Sequence, residues 1–185
     1  MIVGLDEVGR GCWAGPLVAG AVILGASAEG LKDSKQLSAK RREVLDKEIR
    51  ECAIGYSLGW VEPAEIDVLG MTASVGLAFR RALDTIASNY EQIIMDGNIN
   101  YFPDDRRAQA IIKADATVPA VSAASIIAKV ARDRFMTEAA AQFPGYGFER
   151  HVGYGTSEHV AALRLHGICA LHRRSFKPVH TLGVR

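Results

Sequence analysis

Short apolar runs alternate with longer amphipathic segments along most of the chain. The runs Met1–Leu5, Leu17–Leu24 and Ile54–Val61 have the length and composition of buried strands. Two shorter runs, Gln92–Met95 and Ala110–Ala114, have the same character, and an acidic residue follows each of them. We therefore expect five strands, of which the first are close in sequence and suited to antiparallel pairing.

Helical patterns fill the intervals between these runs. Four segments have helical composition or spacing, and they are Ser38–Arg50, Glu62–Asn89, Ser122–Gln142 and Ser157–His166. Ser38 is suited to cap the first segment, and Pro63 to open the second. Gly167 is expected to end the last of them.

The order of these elements predicts the fold class. A long helix before Gln92–Met95 favours a crossover to a parallel neighbour, so the predicted sheet is mixed. We expect an α/β fold with helices flanking that sheet. Residues 145–185 are predicted to form a helical C-terminal segment that begins with a Gly/Tyr-rich loop. Without a repeat or a linker in the sequence, residues 1–185 are expected to form one domain.

Composition narrows the function classes only slightly. Hydrophobic residues make up 49% and charged residues 23%, a globular balance, and the formal net charge is +1. Residues 151–185 hold five of the Lys/Arg residues and a single acid, which predicts either a phosphate-binding face or a solvated basic surface. The 3 cysteines lack zinc or disulfide spacing, and no targeting segment precedes Asp6. We expect a cytoplasmic protein with no membrane partner.

Acidic residues stand at the ends of three predicted strands, and they are Asp6-Glu7, Asp96 and Asp115. If those strands are parallel neighbours, their carboxyl ends meet at one edge of the sheet. Clustered carboxylates repel one another unless a cation lies between them, and hard oxygen ligands select Mg²⁺ or Mn²⁺. Two such ions would support phosphoryl transfer to water. Taken singly, Asp96-Gly97 is also typical of a turn, and Asp115 of a loop cap.

A series of motifs runs from residue 4 to residue 176. They are Gly4-Leu5-Asp6-Glu7-Val8-Gly9-Arg10-Gly11, Asp33-Ser34-Lys35, Met95-Asp96-Gly97, Lys113-Ala114-Asp115 with Ser122–Asp133, Gly153-Tyr154-Gly155-Thr156, and His172-Arg173-Arg174-Ser175-Phe176. In this order they resemble the type 2 ribonuclease H family, which includes bacterial ribonuclease HII. The resemblance covers nearly the whole chain.

That resemblance implies a ribonuclease H-like fold and a metal-dependent endonuclease. Its substrates would be RNA–DNA hybrids and single ribonucleotides in duplex DNA, cut on the 5′ side to leave 5′-phosphate and 3′-hydroxyl ends. The implied ligands of two Mg²⁺ or Mn²⁺ ions are the catalytic carboxylates Asp6, Glu7, Asp96 and Asp115.

The resemblance also implies how the substrate is bound. Gly9-Arg10-Gly11 matches a loop that recognises the ribose 2′-hydroxyl, and Tyr154 matches a tyrosine that packs on the neighbouring deoxyribose. Lys35, Ser125 and Lys129 match elements that contact the nucleic acid backbone. Glycines let the loop approach a sugar closely, and the 2′-hydroxyl is the group that distinguishes RNA from DNA.

Residue type alone leaves alternatives open for several of these positions. Tyr154 is equally suited to packing a Gly-rich loop. Ser125, Lys129 and Arg132 share one helical face, which suits phosphates or solvent, with Arg132 and Asp133 fixing the helix to the body.

The histidines and the C-terminal motif receive no catalytic role from the sequence. Four histidines are predicted to lie at the surface, and they are His151, His159, His166 and His180. His172 and Arg173 are interpreted as residues that dock the C-terminal tail.

Two other functions compete with the nuclease prediction. One is a catalytically inert nucleic-acid-binding module of the same fold, against which the four acids argue. The other is the sister enzyme ribonuclease HIII, which carries an added N-terminal domain, whereas here the first motif begins at residue 4. A monomer is expected.

Overall fold

The computed structural model describes residues 1–25 and 37–183. Lys35 and the rest of the Asp33-Ser34-Lys35 motif therefore lie outside the described residues. Five strands form one sheet in the order β3-β2-β1-β4-β5. Their bounds are β1 Ile2–Val8, β2 Leu17–Leu24, β3 Ala53–Val61, β4 Gln92–Asp96 and β5 Ala108–Ile111. β1 pairs antiparallel with β2 and parallel with β4, and β4 pairs parallel with β5, which confirms the mixed sheet.

The described helices follow the predicted order, with differences considered below. They are α1 Ala39–Cys52, α2 Pro63–Leu69, α3 Met71–Thr85, α4 Ala114–Thr117, α5 Pro119–Gln142, α6 Phe148–His151, α7 Ser157–His166 and α8 Lys177–Gly183. Ser38 caps α1 as predicted, since its side chain accepts from the Arg41 N–H. Over residues 1–25 and 37–183, none of the helices has both the length and the apolar character that crossing a bilayer requires.

The chain divides into two compact units. The first contains Met1–Val8, Val18–Trp60 and Val75–Val130, and the second contains Gly9–Leu17, Val61–Ser74 and Ala131–Arg185. The expectation of one domain over the whole chain stays a prediction.

The first unit is built on the sheet and the first part of α5. Buried apolar side chains of β2, α1 and α5 form one core cluster, which includes Val22, Leu45, Ile49, Ala124 and Ile127. Two glycines of the strands allow the helix backbone to lie directly on the sheet. A Cβ at Gly4 would lie 2.3 Å from the Ala120 carbonyl carbon, and one at Gly20 would lie 2.3 Å from the Ala124 carbonyl oxygen. This close approach fixes the position of α5 over the middle of β1 and β2.

The second unit packs around aromatic side chains. Its core cluster contains Ala14, Met136, Tyr146, Phe148 and Ala162, from the 9–17 loop, the second part of α5, α6 and α7. The rings of Tyr146 and Phe148 stack with centroids 5.3 Å apart. The predicted loop Gly145–Gly155 therefore contains a helical turn, α6, that contributes to this core.

The predicted helix Glu62–Asn89 is wrong as a single element. The chain forms α2 and α3, with Gly70 between them at φ 76°. The Gly70 N–H closes α2 by donating to the Ile66 carbonyl, and the positive φ that follows turns the chain out of the helix.

The predicted strand Ala110–Ala114 is also wrong at its end. β5 finishes at Ile111, opposite Asp96, where its partner β4 finishes. Lys113 then adopts a left-handed conformation at φ 60°, and Asp115 lies in the short helix α4 rather than after a strand.

Candidate active site

Three of the predicted carboxylates lie together in the first unit. Asp6 is on β1, Asp96 ends β4 and Asp115 is on α4, and each offers an oxygen within 4.8 Å of the others. The parallel register of β1 and β4 pairs Leu5 with Met95, so the next residues, Asp6 and Asp96, fall at the same level of the sheet. Asp6 and Asp115 are buried. The predicted parallel pairing therefore brings Asp6 and Asp96 together, and α4 adds Asp115 to them.

Backbone hydrogen bonds hold Asp96 and Asp115 in place. The Ala114 N–H donates to Asp96 Oδ1 over 2.8 Å, which ties the end of β4 to the first turn of α4. The Gly97 N–H donates to the Ile111 carbonyl over 3.1 Å. Asp115 reaches the group because the left-handed Lys113 redirects the chain after β5.

The electrostatics of Asp6 show the cost of bringing these acids together. Burial, the charge of Glu7 and the charge of Asp96 together raise the pKa of Asp6 to about 8, although hydrogen bonds from the Ser125 hydroxyl and the Glu7 N–H act to lower it. The Glu7 N–H donates to Asp6 Oδ1 over 2.8 Å. Buried, mutually repelling carboxylates gain most from a divalent cation, and an all-oxygen donor set suits Mg²⁺ or Mn²⁺. The residues present therefore fit such an ion.

Glu7 and the predicted α5 residues differ in their relation to this group. Glu7 is half-buried on β1 beside Asp6, but the close set of three does not include it. Ser125 bonds to the Asp6 carboxyl through its hydroxyl. Lys129 is half-buried one helical turn further along α5. Ser125 thus belongs with the carboxylates, a placement that its sequence motif did not predict.

The loop Gly9-Arg10-Gly11 lies in the second unit. Gly9 is buried at φ 96°, and a Cβ there would lie 2.5 Å from Arg132 Nε, so only glycine fits without displacing that side chain. Arg10 and Gly11 are exposed, and a Cβ at Gly11 would meet no atom within 4 Å. The tip of the loop is therefore open to a close approach by another molecule.

Tyr154 belongs to the same unit and is 40% exposed. Its backbone is fixed, since its N–H donates to the His151 carbonyl and its carbonyl accepts from the Thr156 N–H, both over 2.9 Å. Burial of part of the side chain, with Cys12 beside it, raises the pKa of the Tyr154 hydroxyl. A rigid backbone under a partly exposed ring suits a contact surface better than a purely internal packing role.

The prediction that His151 and His159 lie at the surface is wrong, whereas His166 and His180 are exposed as predicted. His151, His159 and His172 are buried against Phe148, and the rings of His151 and His159 stack with centroids 4.5 Å apart. Their sequence neighbours do not separate the buried histidines from the exposed ones, because each stands beside an apolar residue and the helix α7 contains both the buried His159 and the exposed His166.

The sequence left phosphate binding open for Arg132 and gave Arg173 only a structural role. Arg132 and Arg173 are both fully buried in the second unit and donate to backbone carbonyls. For Arg132 this confirms the interpretation that it fixes α5, rather than the alternative that it binds phosphates.

Solved structures of similar fold identify the class of protein. The ribonuclease H2 from Pyrococcus horikoshii OT3 has a TM-score of 0.86 and 28% sequence identity, covering 98% of this chain and 96% of that one. A Bst-RNase HIII solved in complex with Mn²⁺ has a TM-score of 0.74 at 22% identity, covering 98% of this chain and 68% of that one, and shows the fold alone. The fold is that of the ribonuclease H class of nucleases.

The family follows from the sequence comparisons. A protein named ribonuclease HII from Paracidovorax citrulli is 49% identical over 181 residues, covering 97% of this chain and 75% of that protein. The family model for ribonuclease HII matches residues 3–179, and the chain belongs to this family. It is a ribonuclease H, an endoribonuclease that hydrolyses its substrate with a divalent metal ion.

Proposed function

We propose that the protein cuts the RNA strand of RNA–DNA hybrids and cuts on the 5′ side of single ribonucleotides in duplex DNA. The observation that carries this proposal is the close set of buried Asp6 and Asp115 with half-buried Asp96, which offer oxygens within 4.8 Å of one another. These three residues, with Glu7, would hold two Mg²⁺ or Mn²⁺ ions. When bound, such ions supply an activated water and stabilise the leaving 3′-oxygen of the phosphodiester.

The protein's own residues orient and hold that centre. The Ser125 hydroxyl bonds to the Asp6 carboxyl, and the Ala114 N–H holds Asp96. Each contact restricts the rotamer of one carboxylate in the close set. Preorganised carboxylates need little rearrangement when a cation and a phosphate enter.

Recognition of the ribonucleotide is assigned to the second unit. The open tip at Arg10 and Gly11 suits close contact with a sugar, and the Arg10 guanidinium suits a phosphate. The exposed face of Tyr154 suits packing on a deoxyribose that lacks a 2′-hydroxyl. Lys129 and Lys35 are proposed to contact the nucleic acid backbone, and a monomeric, cytoplasmic enzyme stays a prediction.

A cleavage assay with a matched pair of variants tests the metal-ligand assignment. Asp6→Asn keeps the shape of the side chain but removes its charge, so cleavage of a duplex with one ribonucleotide should fall by about a thousandfold or more in Mg²⁺. Binding to the same duplex should persist, since the loop and Tyr154 are unchanged. Asp104→Asn, at an exposed position of the 97–107 loop, is the control and should cleave as the wild type does.

The same assay separates the nuclease from an inert binding module of this fold. Cleavage by Asp6→Asn at the rate of Asp104→Asn would contradict the assignment of Asp6. Binding of the duplex by the wild type without any Mg²⁺- or Mn²⁺-dependent cleavage would favour the inert module.

A further inference from the structure

Two arginine side chains are fully buried in the second unit. Arg132 and Arg173 have no exposed surface, and they are the largest of the fully buried side chains among the described residues. Burial of a guanidinium is costly unless its donors are bonded. A buried guanidinium of this kind is useful where it fixes a backbone conformation that apolar packing cannot fix.

The guanidinium of Arg173 bonds to the loop that carries Arg10. Its Nη1 donates to the Gly9 carbonyl over 2.6 Å and to the Arg10 carbonyl over 3.2 Å, and its Nε donates to the Gly15 carbonyl over 3.0 Å. One planar side chain therefore bonds to both ends of the 9–15 segment.

Arg132 bonds to the carbonyls on either side of Gly15. Its Nη2 donates to the Ala14 carbonyl over 2.9 Å, and its Nε donates to the Pro16 carbonyl over 2.8 Å. Its Nη1 donates to the Val152 carbonyl over 2.8 Å. Among the described residues, Arg173 bonds to the carbonyls of Gly9 and Arg10, and Arg132 does not.

Peptide geometry converts these bonds into an orientation of the loop. In a planar trans peptide the C=O and the following N–H point in opposite directions. Because the carbonyls of Gly9 and Arg10 point at Arg173, the N–H groups of Arg10 and Gly11 point away from it. Arg10 and Gly11 are the exposed residues of the loop, so these N–H groups face the open side. Adjacent outward N–H groups form a concave donor surface suited to an oxygen acceptor.

Docking of the C-terminal tail does not account for the guanidinium. The tail is already attached through its backbone, since the Arg173 N–H donates to the Trp13 carbonyl over 2.8 Å. The Arg174 and Ser175 N–H groups donate to the Asp67 carboxylate, each over 2.9 Å. Removing the Arg173 side chain would leave these contacts intact but would release the carbonyls of Gly9 and Arg10.

We propose that Arg173 is a positioning residue for ribonucleotide recognition, because its buried guanidinium turns the Arg10 and Gly11 N–H groups towards the substrate's sugar and phosphate oxygens. The inference rests on the proposed function. It assigns to the Arg173 side chain a role in specificity, in addition to the tail docking that the backbone of the same motif provides.

The test compares Arg173→Lys and Arg173→Gln with the control Arg174→Lys, an exposed neighbour in the same motif. Lysine keeps the charge, but its compact ammonium cannot reproduce the planar fork that spans three carbonyls. The main readout is the ratio of two dissociation constants, measured without divalent metal so that no cleavage occurs. One is for a duplex with a single ribonucleotide, and the other for the same duplex made only of DNA.

The wild type and Arg174→Lys should prefer the ribonucleotide duplex by the same ratio. In Arg173→Lys and Arg173→Gln that ratio should fall by about tenfold or more, the size of effect expected when charged hydrogen bonds are lost. Affinity for the all-DNA duplex and the Mn²⁺ concentration that gives half-maximal cleavage should stay within about twofold, because the carboxylates are untouched. Retention of the wild-type ratio by a folded Arg173 variant would overturn the inference.

A measurement on the unmodified chain covers the case in which neither variant folds. The Arg173 Nε–H signal, which is protected by its bond to the Gly15 carbonyl, should shift in an NMR titration with the ribonucleotide duplex but not with the all-DNA duplex. No shift with either duplex would overturn the inference. Failure of the wild type to cleave the ribonucleotide duplex would instead overturn the proposed function, so the two failures are distinguishable.

Discussion

Single glycines and acids define the site more sharply than the composition of the chain does. Asp6 and Asp96 were predictable because each follows an apolar run of the sequence, and their position side by side on neighbouring parallel strands is confirmed. The burial of Arg173 was not predictable. It stands next to the exposed Arg174, and two adjacent arginines give no sign of which one the fold will enclose. Only the three-dimensional path of residues 9–15 determines that.

The two glycines of the loop should respond differently to the same substitution. Gly9→Ala forces a side chain into φ 96° and into contact with Arg132, so the free energy of unfolding should fall by about 1–3 kcal/mol. The methyl group of Gly11→Ala would meet no atom within 4 Å, so this variant should change the free energy of unfolding by less than about 0.5 kcal/mol. Urea unfolding of both variants measures this difference.

Gly11→Ala should nevertheless cleave a single-ribonucleotide duplex about tenfold or more slowly, because its methyl group occupies the space that a sugar needs. Its stability serves as the internal control for correct folding. A stable Gly11→Ala that cleaves at the wild-type rate would contradict the role of the loop tip.

At the level of helices and strands, hydrophobic periodicity predicted where elements lie but not where they stop. The apolar spacing of Glu62–Asn89 continues across Gly70, so the sequence suggested one helix where the backbone makes two. The run Ala110–Ala114 remains apolar after Ile111, but β5 ends there because β4 ends opposite it. Such ends depend on a neighbouring element, which a local pattern does not contain.

Three segments of the second unit are joined by a chain of histidine hydrogen bonds. The Cys169 N–H donates to His172 Nδ1 over 2.9 Å, the Nε2 atoms of His172 and His159 lie 3.0 Å apart, and His159 Nδ1 lies 2.9 Å from the Tyr154 carbonyl. A carbonyl only accepts, so His159 Nδ1 carries the proton and its Nε2 accepts from His172. One neutral tautomer of each ring satisfies all the bonds.

This chain predicts acid sensitivity of the fold. Burial lowers the pKa of His159 to about 4, and burial with the charge of His159 lowers that of His172 to about 4, from an ordinary 6.5. Because the folded state binds these protons less readily than the unfolded state, their contribution to stability is complete above 6.5. It is lost as the pH falls from there towards about 4.

Urea unfolding of the Asp6→Asn variant between pH 7.5 and pH 5 measures the effect, which should be on the order of a few kcal/mol for the pair. This background is needed because Asp6, with its pKa raised to about 8, would change the free energy of unfolding in the opposite sense over the same range. The exposed His166 provides a control, since His166→Gln should show the same pH dependence as the wild type. If the free energy of unfolding of Asp6→Asn stays constant over this range, the two rings are not held neutral as described.

For the whole molecule, the order of motifs predicted more than any physical pattern did. The apolar runs led to a mixed α/β sheet, which is confirmed, and the strand-end acids led to a divalent metal. Membership of the ribonuclease HII family agrees with both. Recognition of a ribonucleotide was not predictable from charge or periodicity, because it depends on the backbone orientation of a short loop within a compact unit.

Mapping the cut site on a labelled duplex with one ribonucleotide tests the central claim most directly. In Mg²⁺ or Mn²⁺ the protein should make one cut, on the 5′ side of the ribonucleotide, leaving a 3′-hydroxyl on one fragment and a 5′-phosphate on the other. Chelation of the metal should abolish it, and the same duplex made only of DNA should stay intact. A cut on the 3′ side, a 2′,3′-cyclic phosphate product, or cleavage that persists without divalent metal would contradict the account.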